Sequence, residues 1–242
     1  MRDNYTPLDR ALASPASKER YVRRLFDTIA DRYDLITVIL SFGRDAAWKK
    51  RLVRMAPVPA GALALDLACG TGDISYETAR AGARVIGLDV TERMIRLARG
   101  KRDAHGRVEF VVGDMMKLPF GRASFDLVTT GYGIRNVPEL GPALDEIARV
   151  LRPGGVFLSL DFNRPENAAM RAIYLAYLHV VGGALGWVLH RDPDAYRYIP
   201  ATIKRYPGAP SVAAMLRERG FATAEWTRVL GGLMAIHVAR RA

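Results

Sequence analysis

At 242 residues the chain is long enough for one large α/β domain with a well-buried core, and a hydrophobic share of 50% excludes an intrinsically disordered one. A single cysteine, Cys69, excludes an internal disulfide framework and any multi-cysteine metal site. The formal net charge of +11 points to polyanionic partners, nucleic acid or the anionic face of a membrane, and excludes nothing about the fold.

In chain order, residues 1–16 contain no apolar stretch that would serve as a signal peptide and are expected to form a polar, mobile arm. Residues 17–56 are expected to be helical: KERYVRRLFDTIADRYD sets Tyr21, Leu25 and Ile29 at helical spacing, and DAAWKKRLVRMA repeats the pattern. From Ala62 the period changes. The runs ALALDLA, RVIGLDV, RVEFVVG, SFDLVTT and GVFLSLDF alternate with ISYETARAG, ERMIRLARGK and LGPALDEIARVL, which predicts a parallel, doubly wound core over 60–163. Residues 164–206 include AIYLAYLHVVGGALGWVL, just long enough to span a bilayer. His179, the helix-weakening Gly182-Gly183 pair and a position between two parts of one sheet argue instead for a helix–loop–helix cover over an apolar ligand. Over 207–242, the helix SVAAMLRERGF is followed by ATAEWTRVL and LMAIHVARR about Gly231-Gly232, which reads as a closing hairpin. The whole is expected to be a single α/β domain with seven strands, the last pair antiparallel.

The stretch LDLACGTGDIS, residues 65 to 75, carries the first chemical signal. In open α/β sheets ligands bind beyond the carboxyl ends of the strands, and Gly70 and Gly72 permit a tight turn with close backbone approach. A pyrophosphate needs helix-terminal amides without carboxylates nearby, whereas here Asp66 and Asp73 flank the turn. They would attract a cation. S-adenosylmethionine (SAM), with its ammonium and sulfonium, meets that demand. The second strand ends at Asp89, suited to both ribose hydroxyls, and the third leads to Asp114-Met115, an acceptor and an apolar face for adenine. A nicotinamide enzyme is disfavoured by Asp73 and by Ser75 where a third glycine would fall.

These segments resemble a class I SAM-dependent methyltransferase (Rossmann-like), and more narrowly the UbiE/MenG family of quinone C-methyltransferases. FDTIADRYD with SFG and WK, GYGIRNV, and AYRYIP carry the narrower likeness; LDLACGTGD and LRPGG carry the broader one. The resemblance covers nearly all of the chain beyond its first fifteen residues or so. It implies a seven-stranded sheet with a C-terminal antiparallel hairpin, N-terminal helices and a helical cover. It implies SAM contacts at Thr71, Asp89, Asp114, Met115 and Gly131, and puts Tyr33, Arg135 and Asn136 around the acceptor ring. The chain departs from the family's usual pattern at Thr37, Gly131, Ala201 and Tyr206-Pro207.

Methylating a quinone-ring carbon requires the electron-rich hydroquinone, most of all its phenolate. A phenol with a pKa near 10 is about 0.1% ionised at neutral pH, and stabilising the anion by two units takes roughly 2.7 kcal/mol. Arg135 is expected to supply this by pairing with the developing oxyanion, Asn136 by a further hydrogen bond, and Tyr33 by positioning the ring or relaying a proton. The alternative for Arg135 is a structural salt bridge to Asp161 or Glu139. His179 and His237 read as buried, hydrogen-bonded residues, and His190 as the auxiliary base of first choice.

A polyprenyl tail needs an apolar groove, for which Ile173, Tyr177, Val180 and Val181 are candidates, with Arg164, Arg171 and Arg191 set to meet anionic headgroups. The expected partners are thus a lipophilic quinol, demethylmenaquinol before all others, and an anionic membrane surface; a homo-oligomer is compatible with the sequence. The expected location is cytoplasmic, peripheral to the inner face of the membrane. SAM is the expected cofactor and S-adenosylhomocysteine its product, with no metal. A nucleic-acid methyltransferase is disfavoured: TTGYGIRN stands where an amino-methylating enzyme carries Asn or Asp followed by Pro-Pro-aromatic, and no cysteine is placed for base C5 chemistry. A methyltransferase of another lipophilic molecule, such as a benzoquinol or a secondary metabolite, remains the alternative.

Overall fold

The computed structural model describes residues 7–101, 106–191 and 194–242. Within them the apolar runs become seven strands: β1 (Leu63–Leu67), β2 (Arg84–Asp89), β3 (Val108–Val112), β4 (Phe125–Gly131), β5 (Leu151–Phe162), β6 (Phe221–Val229) and β7 (Met234–Arg241). They form one sheet in the order β3-β2-β1-β4-β5-β7-β6. The first five are parallel, while β7 runs antiparallel to both β5 and β6. Strands β1 and β4 are covered on both faces, so they show no in–out alternation, and Asp66, Thr129 and Thr130 are buried in them beside Leu65, Leu67 and Val128.

The helices divide between the faces. On one side α4 (Asp45–Arg54), α5 (Asp73–Arg80) and α6 (Glu92–Gly100) bury Trp48, Leu52, Ile74, Tyr76 and Ile95. On the other, α7 (Leu140–Val150) and α10 (Ala209–Arg217) bury Leu144, Ile147, Val212 and Leu216 against β1, β4 and β5. A third apolar cluster joins α1 (Pro7–Ala11), α2 (Pro15–Ile29) and α3 (Tyr33–Leu40) to α9 (Asp194–Arg205) through Leu25, Ile29, Ile36, Tyr196 and Tyr198. Sequence-distant helices thereby form a cap near the carboxyl ends of the parallel strands.

Two expectations are corrected here. The polar arm of residues 1–16 lies outside the described residues as far as 6; from Pro7 the chain is helical, with Leu8 buried, and Ser14 caps α2 through a reciprocal bond with Ser17. The cover is also not broken at Gly182-Gly183. Helix α8 (Ala168–His190) runs unbroken through the pair and ends at Arg191, in the left-handed conformation, before α9 begins. The glycines serve a helix contact: a Cβ on Gly182 would stand 3.3 Å from the Tyr196 Cβ and carbonyl oxygen. Helix α8 is long and apolar enough to cross a membrane by length and composition. Its stripe Tyr174, Leu178, Gly182 and Gly186 is buried, while Ile173, Val180 and Trp187 are exposed.

Candidate active site

The turn after β1 brings the chain sharply into α5. Gly72 has φ +84°, a conformation that L side chains rarely adopt, and a Cβ there would strike the Phe110 ring at 2.8 Å. Gly72 lines none of the cavities described below; its part is to shape the turn. The acids at the strand tips are then fixed by backbone and hydroxyl donors. Asp89 accepts from the Gly70 amide and the Thr91 amide, both at 2.9 Å. Asp66 accepts from Ser75 Oγ at 2.6 Å and Thr129 Oγ1 at 2.8 Å. Burial pushes the Asp66 carboxyl up to about 6 despite those bonds, and raises Asp89 for the same reason.

Three adjoining cavities open among the described residues. The largest, about 750 Å³, is lined by Asp89, Asp114, Met115, Gly70 and Gly131, with Val22 and Phe26 of α2 across from the strand tips. A second, about 620 Å³, lies between α2, α3, α9 and the segment after β4; Leu25, Ile29, Ile36, Leu40 and Tyr196 make its wall mainly apolar, and Arg135 is its cation. The third, about 300 Å³, holds Asp66, Thr71, Lys49 and Asp73 beside the glycine turn. Tyr33 and Tyr132 line all three, and Asn136 lines the two larger.

Asp73 and Thr71 differ from their expected settings. Asp73 is not left to a ligand's charge: its two oxygens accept from Lys49 Nζ at 2.9 Å and Lys101 Nζ at 2.7 Å. The field of Lys49 and the bonds from both lysines lower its pKa in spite of burial. The Thr71 hydroxyl donates to Asp34 at 2.5 Å and accepts from Lys101 at 3.0 Å.

The residues expected around the acceptor ring are also anchored. The Arg135 Nε donates to Asp161 Oδ1 at 3.2 Å and its backbone amide to Oδ2 at 3.1 Å, while Nη1 donates to Thr202. The guanidinium lies 5.1 Å from the centre of the Phe162 ring. The salt-bridge alternative is thus realised with Asp161, and Arg135 meets the cavity as half of a buried ion pair. Asn136 donates to the Tyr132 carbonyl at 2.7 Å and accepts from the Tyr198 hydroxyl at 3.1 Å. Lys18 of α2 donates to the carbonyls of Arg135 and Val137 at 3.1 and 2.5 Å, pinning the cap to this loop. Burial, aided by the like charge of Arg135, brings Lys18 down to about 8.

Other expectations do not survive. Ile173 and Val180 face outward, Tyr177 stacks on Phe42, and Val181 joins the cluster with α9; the expected tail groove on α8 is not there, and the apolar cavity lies among α2, α3 and α9. His179 is exposed, not buried. His190 shares a 3.1 Å hydrogen bond with the Tyr196 hydroxyl and lines none of the three cavities. His237 is buried as expected, its ring nitrogens bonded to Ser159 and to the Ala209 carbonyl. Sequence reasoning missed Tyr132, whose hydroxyl donates to Asp45 at 2.7 Å and whose backbone holds φ 61°. It also missed Lys49. Their signals were present in GYGIRNV and in the WK of DAAWKK.

Acidic strand tips facing a cleft, in a sheet of this order, define a class I SAM-dependent methyltransferase. The fold matches a SAM-dependent methyltransferase from Thermotoga maritima with a TM-score of 0.68 at 17% identity, covering 91% of this chain and 100% of that one. The model of the ubiE/COQ5 methyltransferase family matches residues 15–241, and the chain belongs to that family. It is 38% identical over 241 residues to the ubiquinone/menaquinone biosynthesis C-methyltransferase of Rubrivivax gelatinosus, covering 98% of this chain and 95% of the relative. It is likewise 38% identical over 220 residues to the demethylmenaquinone methyltransferase of Thermus thermophilus, covering 90% of this chain and all of the relative.

Proposed function

We propose that this methyltransferase transfers the SAM methyl to a ring carbon of a polyprenylated hydroquinone, converting demethylmenaquinol to menaquinol. The observation that carries the reading is the meeting of an acid-tipped cleft and an apolar cavity at Tyr33, Tyr132 and Asn136. The relatives named for demethylmenaquinone and ubiquinone/menaquinone methylation support the same substrate class. The cleft fits SAM: Asp89 is a buried acceptor at the β2 tip, Asp114 and Met115 offer an acceptor and an apolar face, and no bound phosphate is needed to neutralise cationic groups there. Bound SAM supplies an electrophilic methyl on a sulfonium. The chain's part is to align donor and acceptor and to exclude water.

In this reading Asp89 accepts from the ribose hydroxyls, and Gly70 and Gly131 let the ligand approach the backbone. Asp66 and Thr71 line the small polar cavity that adjoins the cleft. A Cβ on Gly131 would meet Ile74 Cδ1 at 2.5 Å, so Ile74 occupies space that a serine there would need. On the acceptor side, Arg135 stabilises developing phenolate character through an oriented guanidinium held by Asp161, and Asn136 and Tyr33 set the ring. With SAM bound, the carbon–carbon bond would form as the methyl–sulfur bond breaks, S-adenosylhomocysteine would leave as the neutral thioether, and the ring carbon would lose its proton to water. The quinol's tail leaves past α3, the turn after it and α8, where exposed Leu35, Val38, Phe42, Val180 and Trp187 suit a membrane surface; the protein works peripherally on the cytoplasmic side.

Anaerobic incubation with labelled SAM and matched demethylated naphthoquinols and benzoquinols tests this. Label entering the naphthoquinol ring is expected; label in the benzoquinol alone would reassign the ring, and label in neither would overturn the reading.

A further inference from the structure

A quinol that takes on phenolate character must hand its hydroxyl proton to another group. Arg135 stabilises the anion but, as a guanidinium, it only donates and takes no proton. The Asn136 carbonyl oxygen already accepts from Tyr198. Tyr132 stands differently. It lines the acid-tipped cleft and the apolar cavity alike. Its hydroxyl donates to Asp45 Oδ1 at 2.7 Å, which leaves the lone pairs of the phenol oxygen to accept a further hydrogen bond.

The tyrosine is fixed in place. Its backbone sits at φ 61°, which a bulky residue adopts only where its surroundings impose it. Its amide donates to the Leu160 carbonyl at 2.7 Å, and its ring lies 5.5 Å from that of Phe162. Asp45 is 4% exposed and lines none of the three cavities, so its carboxylate meets the apolar cavity through Tyr132. The second Asp45 oxygen accepts from Lys49 at 2.5 Å, and Lys49 also donates to Asp73 at 2.9 Å. Asp45 can therefore take up a proton without leaving the ammonium unpaired. The other charged and titratable groups facing Tyr132 are Lys49, 6.0 Å from its ring centre, Tyr33, and Asp161, itself paired with Arg135. Burial and the Asp45 charge hold the Tyr132 phenol well above its ordinary range, so it passes protons on and stays neutral.

We propose that Tyr132 and Asp45 form a proton relay for the quinol, the Tyr132 oxygen taking the quinol's hydroxyl proton while passing its own to Asp45. The assignment rests on the quinol reading of the apolar cavity. The quinol O–H bond breaks and its electron pair stays on the ring oxygen, beside Arg135, while Asp45 becomes the neutral acid. Once the ring carbon has been methylated and has lost its own proton to water, the proton on Asp45 returns through Tyr132 to the ring oxygen. One proton is released to water in all, and the relay ends as it began.

Anaerobic methylation of a short-chain demethylmenaquinol is followed from about pH 7 to pH 9 in the wild type, Tyr132→Phe, Asp45→Asn and the double variant. Each single variant is expected to lose about 100-fold or more in kcat at the lower pH, with KM for the quinol and SAM affinity within about threefold of wild type. The deficit relative to wild type should narrow about tenfold or more at the upper pH, because quinol ionised by solvent bypasses the relay. Comparison at equal pH cancels the titration of Lys18, which all four proteins share. The double variant should lose no more than either single one, as for groups that act as a unit. A deficit unchanged by pH, or losses that multiply, overturns the relay and leaves Tyr132 and Asp45 a structural bond. A binding comparison by calorimetry, without SAM, needs no variant. The wild type is expected to bind 4-methoxy-1-naphthol about fivefold or more tightly than 1,4-dimethoxynaphthalene, which has no O–H to donate. Equal affinity for the two overturns the relay while leaving the quinol reading intact. A wild type that methylates no quinol overturns that reading itself, and the relay with it.

Discussion

Arg135 combines two demands that pull in opposite directions. Its guanidinium must stay charged beside an apolar cavity, and at 5% exposure a lone cation would be costly. Asp161 meets that cost, so a truncated Arg135 leaves a buried carboxylate without its counter-charge, held only by the backbone amides of residues 135 and 162. Arg135→Met is therefore expected to destabilise the fold by about 3–5 kcal/mol in urea denaturation, and Arg135→Met/Asp161→Leu to recover most of that loss. Turnover on the quinol should stay depressed in the double variant while SAM affinity holds; recovery of turnover together with stability would assign Arg135 a structural part only. Asp66 allows a second prediction. Its folded pKa of about 6 lies above the unfolded carboxylate value, so the fold binds that proton more tightly than the unfolded chain. Its contribution is thus most favourable at low pH and is lost as pH rises through 6, by about 3 kcal/mol across the window. Asp66→Asn should flatten the stability profile between pH 4 and pH 7 relative to wild type, measured by urea denaturation; an unchanged profile would mean that Asp66 ionises normally. The acids themselves were legible in the sequence because strand ends and glycine turns fix where they must lie. Their partners were not: Lys49 on α4 and Lys101 at the end of α6 reach Asp73 from 24 and 28 residues away, and no local pattern encodes how those helices are oriented.

At the level of elements, α8 is where the sequence was most misleading. A Gly-Gly pair lowers intrinsic helix propensity by about 1 kcal/mol per residue, which favours a break in an isolated peptide. Tertiary packing reverses the outcome, because the missing side chains let α9 approach until Tyr196 lies against Gly182. Neighbouring Tyr198 and Thr202 on α9 bond to Asn136 and Arg135, so this close contact also sets where those two side chains stand. Gly182→Leu is expected to wedge the two helices apart, costing about 1–3 kcal/mol of stability. Hydrogen exchange should quicken in α8 and α9 while the parallel strands remain protected; uniform quickening, or none, would count against α8–α9 as the local unit of the cap. The strands, by contrast, were read correctly from sequence, since alternating runs separated by helices admit few topologies.

Considered whole, the molecule carries its apolar surface and its charge in a way that suits an interface. The formal charge of +11 acts at long range and is weakened by salt, whereas exposed side chains such as Val180 and Trp187, at 67% and 68% exposure, act only on contact. The two contributions are separable. Phe42, in the turn after α3, stacks on Tyr177 of α8 with ring centres 5.7 Å apart, which joins the end of α3 to the exposed face of α8 beside the apolar cavity. Val180 and Trp187 line neither that cavity nor the acid-tipped cleft. Val180→Glu/Trp187→Glu replaces burial of an indole and a valine with two charges facing anionic headgroups. Partition onto anionic liposomes, followed by co-sedimentation, is expected to fall about tenfold or more, in line with apolar burial worth a few kcal/mol. SAM affinity and turnover of a short-chain, water-soluble quinol should be unchanged, and turnover of a long-chain quinol in vesicles should fall with the partition. Raising salt should weaken wild-type binding without abolishing it, because the apolar contacts survive screening. Full retention of vesicle binding by the double variant would remove α8 from the interface, and equal loss with the soluble quinol would show that the substitutions had disturbed the cap instead.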